Sequence, residues 1–171
     1  MKLLIAASLF AALTALLYLP AGADDEDGVE ILVTPKIVAI SIAEGQLDYG
    51  SPEVGSIDNR PNPDDFTVVN ESTVGVDLQI SGTDSVSDIN GAPGWTLGAA
   101  PGPDAYVHRF SLAVTPVYPG EFTTLMTAPA PFTTVAIDGS VDIKLSLDMP
   151  TSTTSLDRQV ADVTVVALED N

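Results

Sequence analysis

His108 is the only histidine of the chain, and the sequence contains no cysteine. Acid–base or nucleophilic chemistry would therefore have to draw on one imidazole and the carboxylates. Cysteine nucleophiles and thiolate-held zinc or iron–sulfur centres are excluded by composition. A Ser-His-Asp triad needs its histidine beside a serine on a sharp turn, and no Gly-x-Ser-x-Gly occurs. His108 instead falls in phase with Tyr106 and Phe110 in a strand-like run, the setting of a packed ring. Neither a Walker-type loop nor Gly-x-Gly-x-x-Gly is present to cradle phosphate. Carboxylates that might pair as in a glycosidase lie in loops or at outward strand positions such as Asp77, Asp142 and Asp148, where solvation accounts for them. The expectation is a non-enzyme with no catalytic, cofactor-binding or metal residues and no cofactor.

Oxygen-rich loops raise calcium as an alternative. Asp84, Asp88 and Asn90 precede Gly91, and Asp58, Asp64 and Asp65 crowd a second loop. Hard oxygen ligands on loops suit Ca²⁺. The first cluster departs from an EF-hand, with Val86 at the first ligand position and Leu97 where the closing glutamate belongs. Aspartate and asparagine also favour turns for backbone reasons, so Ca²⁺ is kept as an alternative only. Trp95, the sole tryptophan, could stack on a sugar ring, but at a strand start beside Leu97 it reads better as a plug in the core. Asn70-Glu71-Ser72 matches an N-glycosylation acceptor, a pattern short enough to arise by chance.

These residues must be positioned by strands. Apolar side chains alternate with polar ones through Val74, Val76, Leu78 and Ile80, and again through Val141, Ile143, Leu145, Leu147 and Met149. Period two puts one sheet face on a core and the other in water. Asp142, Lys144, Ser146 and Asp148 should then face solvent. Further strands are expected at 29–33, 37–42, 66–70, 106–114, 122–126 and 160–168, with Pro35 breaking the first two apart. The expected fold is an all-β, immunoglobulin-like two-sheet antiparallel β-sandwich of about eight strands. Residues 116–120 and 129–131 read as short turns. The long connections 49–65 and 81–104 are the ones expected to be mobile or to recognise a ligand.

The beginning of the chain reads as a signal-peptide helix. Lys2 precedes an uncharged apolar run from Leu3 to Leu19, Pro20 ends it, and Ala21-Gly22-Ala23 supplies a small-x-small cleavage site after Ala23. The expected mature protein is one domain, residues 24–171, secreted or at the cell surface, with no membrane segment after cleavage. Its charge is strongly acidic, with 24 Asp+Glu against 6 Lys+Arg in the full chain and a formal net charge of -18. That balance opposes nucleic acid and anionic membranes as partners.

Two groups of motifs carry a family resemblance. Leu47-Asp48-Tyr49-Gly50-Ser51, Val54-Gly55-Ser56 and Phe66-Thr67-Val68-Val69-Asn70 resemble the opening of immunoglobulin-like domains in bacterial surface proteins. Gly94-Trp95-Thr96-Leu97, the run from Asp104 to Phe110, and Pro150 to Thr154 with Gln159 are similar to small exported bacterial proteins. The resemblance implies a β-sandwich in an extracellular setting and carries no functional residue with it. The function expected is an acidic structural or interaction subunit at the cell surface or in an extracellular matrix. Its partners would be other copies or other surface proteins met through sheet edges, with residues 28–42 as an arm for self-association. The alternative is a module binding a glycan or Ca²⁺ through the loops 49–65 and 81–104.

Overall fold

The structure is a computed structural model that describes residues 35–170. The signal segment, the cleavage site and the strand expected at 29–33 lie outside these residues. Eleven strands are present and no helix occurs among the described residues: β1 (Ile40–Ile42), β2 (Asp65–Asn70), β3 (Val76–Gly82), β4 (Val86–Ser87), β5 (Thr96–Leu97), β6 (Ala105–Ser111), β7 (Thr123–Thr124), β8 (Ala130–Val135), β9 (Ser140–Asp148), β10 (Gln159–Val160) and β11 (Val163–Glu169). The all-β class is as expected. The number of strands is greater than eight because the connection 81–104 contains the short β4 and β5, the run 129–131 leads into β8, and the run 160–168 is divided in two.

Six strands form the largest sheet. β1, β2, β9 and β6 follow one another in antiparallel order, and β6 also carries β7 and, in parallel, β5. A second sheet has the order β11-β3-β8, and β10 with β4 makes a third. Phe66, Val68, Phe110, Ile143 and Leu145 from the largest sheet share one core with Val76, Leu78, Ile80 and Val135 from the second, closed by Leu125. Val76, Leu78, Ile80, Ile143 and Leu145 belong to the rows that alternation marked in the sequence. Full burial of each such side chain is worth about 1.5–3 kcal/mol. Tyr106, Leu147 and Met149 form a smaller cluster with Trp95, Leu97 and Ala161 packed against it.

Several strand limits differ from expectation, each for a local reason. β6 stops at Ser111, short of the expected 114, and Leu112 and Val114 beyond it are exposed. The run 129–131, read as a turn, instead leads into β8, where Pro131 is tolerated because β8 is an edge strand with a register shift opposite Leu78 and Gln79. The run 160–168 is divided into β10 and β11, which join different sheets. Within the expected arm, Ile37 to Ile42 belongs to its own domain. Glu71 and Thr73 donate backbone N–H bonds to the carbonyls of Ala39 and Ile37, and β1 continues this pairing on β2.

The outward face of β9 departs most from the sequence expectation. Asp142 is exposed and Lys144 half-buried, but Ser146 and Asp148 are fully buried. Their cover is the connection 49–65, expected as a recognition loop. Its backbone runs antiparallel to the end of β9, with Asn59 and Leu147 exchanging N–H···O bonds of 3.0 and 2.9 Å, and Met149 N–H bonding the Ser56 carbonyl at 2.9 Å. The segment therefore continues the sheet edge where β2 has ended. The connection 81–104 is also tied down, since Ser85 and Trp95 bond through backbone groups at 2.8 Å and Ser87 bonds the Ala92 carbonyl at 2.8 Å.

Candidate functional site

A cleft of about 960 Å³ opens between residues 44–54 and residues 153–163. Its floor comes from β2, β6 and β9, through the buried side chains Phe66, Tyr106, His108, Leu145 and Leu147. Its two walls are set locally. Asp48 accepts the Gly50 N–H at 2.8 Å in an Asx turn, and Gly50 follows at φ 69°, a backbone region that suits glycine. On the opposite wall, Gln159 accepts a hydrogen bond from the Ser85 hydroxyl and donates one to Ser155 Oγ, tying residues 155–159 to the Trp95 loop. A Cβ added at Gly94 would lie 1.7 Å from Gln159 Oε1, so only glycine lets that side chain pass.

Inside the cleft, Trp95, Tyr106, His108 and Tyr49 form a chain of rings with successive centroids 6.4, 6.3 and 5.6 Å apart. The Tyr49 hydroxyl and His108 Nε2 are 2.6 Å apart, whereas His108 Nδ1 is buried without a hydrogen-bond partner among the described residues. Burial lowers the imidazole pKa to about 4, so the ring is neutral at pH 7. Burial likewise pushes the Tyr49 hydroxyl well above the ordinary tyrosine value, so it keeps its proton. With the Tyr49 O–H donated to Nε2, the single imidazole proton sits on Nδ1. Such a ring is a packed hydrogen-bond acceptor, and among the described residues no carboxylate bonds to it. Tyr106, also raised by burial, donates its hydroxyl to the Thr83 carbonyl at 2.5 Å.

The acidic residues weighed for calcium are engaged elsewhere. Asp64 and Asp65 both accept from Lys144 Nζ at 3.0 Å, and these two hydrogen bonds raise the lysine pKa. Asp58 accepts from Arg60 Nε at 2.6 Å and from the Ser146 hydroxyl at 3.0 Å. Asp84 accepts the Leu97 N–H, Asp88 lies 3.7 Å from Arg158, and Asn90 accepts the Ala92 N–H. Among the described residues no group of three or more histidine or acidic side chains is placed to hold a metal ion. Trp95 is half-buried against Tyr106 and donates its indole N–H to Thr153 Oγ1 at 2.7 Å, so its polar edge is fixed.

A buried ionic centre escaped the sequence reading. Asp148 pairs with Arg109 and accepts the Tyr118 hydroxyl at 2.8 Å, while the Asp58 N–H reaches its other oxygen at 3.1 Å. Arg109 lies over the Tyr118 ring and Arg60 over the Phe122 ring, with 4.4 Å between the Arg60 guanidinium and the ring centroid. The available signal was Arg109, one of only six basic residues, standing beside His108 in the middle of a strand. The groups of this centre bond one another. The cleft is the better candidate for recognition. Compared with protein-family models, with curated proteins and with solved structures, the chain has no match in any of the three.

Proposed function

We propose that this protein is an exported, non-enzymatic structural or interaction subunit of the cell surface or extracellular matrix. It is built as an immunoglobulin-like two-sheet β-sandwich, related to the bacterial surface domains its motifs resemble. Copies associate when the N-terminal arm of one, residues 28–34, adds as a strand to an open sheet edge of the next.

One observation carries this reading. β11 keeps an unbroken seven-residue register with β3 and, among the described residues, pairs with no other strand. Within the strand no proline, lysine or bulge interrupts the pairing, and its one charged residue, Glu169, stands at the end in an ion pair with Lys36. Such an edge is a template for strand addition, in which main-chain bonds supply affinity and alternate side chains supply specificity. In the arm, Val29, Ile31 and Val33 alternate with Glu30, Leu32 and Thr34, a pattern suited to that role.

Light scattering of residues 24–171 across a concentration series tests the proposal. The expected result is a mass above that of one chain, reduced to one chain by Ile31→Pro, because proline removes a ladder donor. A single-chain mass at every concentration for the unsubstituted protein rejects it.

A further inference from the structure

We propose that the cleft between residues 44–54 and 153–163 is a second interaction site, which takes an extended segment of a partner protein carrying lysine or arginine beside apolar residues. It is separate from the association edge, since of β11 only Val163 lines it.

The shape points to an extended chain. Ile42 of β1 lies on one side, and Val160 and Val163 of β10 and β11 on the other, so the cleft runs between strands that can offer backbone groups. The mouth is apolar: Ile42, Val54, Leu156 and Val160 are exposed there, Leu156 to 91%, and Trp95 is half-buried beside them. Exposed apolar side chains gathered around one opening are the mark of an interaction surface.

The charge around the opening sets the kind of partner. Glu44, Asp48, Asp88, Asp157 and Asp162 line the cleft, with Arg158 as the one basic residue, itself 3.7 Å from Asp88. Glu44, Asp48 and Asp157 accept hydrogen bonds from the Thr67 N–H, the Gly50 N–H and the Ser87 hydroxyl, and these keep their carboxylates in place. The Asp162 carbonyl accepts the Thr83 N–H at 3.1 Å, while its exposed carboxylate accepts no hydrogen bond from the described residues and acts electrostatically on the Tyr106 hydroxyl. An acidic rim around an apolar mouth attracts a cationic, apolar segment and repels an acidic one by long-range Coulomb forces. The N-terminal segment of a second copy is a poor occupant, because Asp24, Asp25, Glu26 and Asp27 just before the arm, and Glu30 within it, carry the same sign as the rim.

Trp95 is the only tryptophan, so its emission reports the cleft directly. The test is titration of residues 24–171 with a blocked pentapeptide of alternating lysine and valine, and with the same peptide carrying glutamate for lysine. The expected result is a saturable emission change with the lysine peptide alone, weakened about tenfold between 0.05 and 0.5 M salt by screening. Asp162→Asn, at an exposed position, should weaken binding several-fold while leaving the melting temperature unchanged. Equal response to the glutamate peptide, or no response to either peptide, overturns the proposal.

Discussion

Asp148 and Arg109 form an ion pair across neighbouring strands, with the Asp148 side chain 2% exposed and the guanidinium roofed by the Tyr118 ring. The pair faces away from the main core, on the side of β9 that alternation assigns to water. Removing one partner strands a buried charge, and such losses amount to about 3–5 kcal/mol. Arg109→Ala should therefore lower the unfolding free energy by about that much in urea titration. Replacing both residues, Arg109→Met with Asp148→Leu, should recover most of the loss. A double variant as unstable as the single one would show that the pair is itself a net source of stability.

The neutral, buried His108 makes stability depend on pH. Its pKa is about 4 in the folded chain against an ordinary 6.5, so between these values the unfolded state takes a proton that the folded state refuses. Stability should be fully present above pH 6.5, fall as pH drops toward 4, and level off below it, with a total loss of about 3 kcal/mol. Neither Tyr49 nor Tyr106 titrates in that window, since burial raises both. The difference between the protein and His108→Gln, followed by urea titration from pH 7 to 4, isolates the effect from the carboxylates. Parallel curves for the two proteins would contradict it.

Asn70 is a structural lynchpin and not an accessible glycosylation acceptor. Its side chain is 1% exposed, its amide faces the carbonyls of Val74, Val135 and Ala136 at 2.9–3.1 Å, and its oxygen accepts the Ser72 N–H at 2.8 Å. Asn70→Leu leaves several of these groups unsatisfied and should destabilise the protein by about 3 kcal/mol. Folded protein secreted from a eukaryotic host should carry no glycan at Asn70, as read by intact mass. A folded, glycosylated product would contradict this packing.

Self-association between acidic copies should be salt-dependent. With a formal net charge of -18, approach of two chains is opposed by long-range repulsion that added salt screens. The associated fraction by sedimentation velocity should rise between 0.02 and 0.3 M sodium chloride. A decrease would point to ion pairs, not strand addition, as the source of contact.

The rows Val76, Leu78, Ile80 and Ile143, Leu145, Leu147 were readable because period two depends only on near neighbours in sequence. β8 was hidden by Pro129 and Pro131, which signal a turn wherever the strand is not an edge. The contrast between exposed Asp142 and buried Asp148 had no local signature. It arises because residues 58–60 and 118–122, remote in sequence, cover one end of β9 and leave the other open. The cleft was equally illegible, since its walls lie about a hundred residues apart. The connections 49–65 and 81–104, expected to be mobile or to recognise a ligand, carry backbone bonds to strands that make parts of them continuous with the sheet framework.

The proposed association is open to one direct measurement, because the chain has no cysteine of its own. Leu32→Cys is placed in one tagged copy and Val166→Cys in a second copy with a different tag, and the two are mixed under mild oxidation. Strand addition of the arm to β11 brings these positions to neighbouring strands and should yield a disulfide-linked pair carrying both tags, lost when Ile31→Pro is added. Absence of the doubly tagged species, at concentrations where light scattering finds associated chains, would contradict the arm-to-edge arrangement.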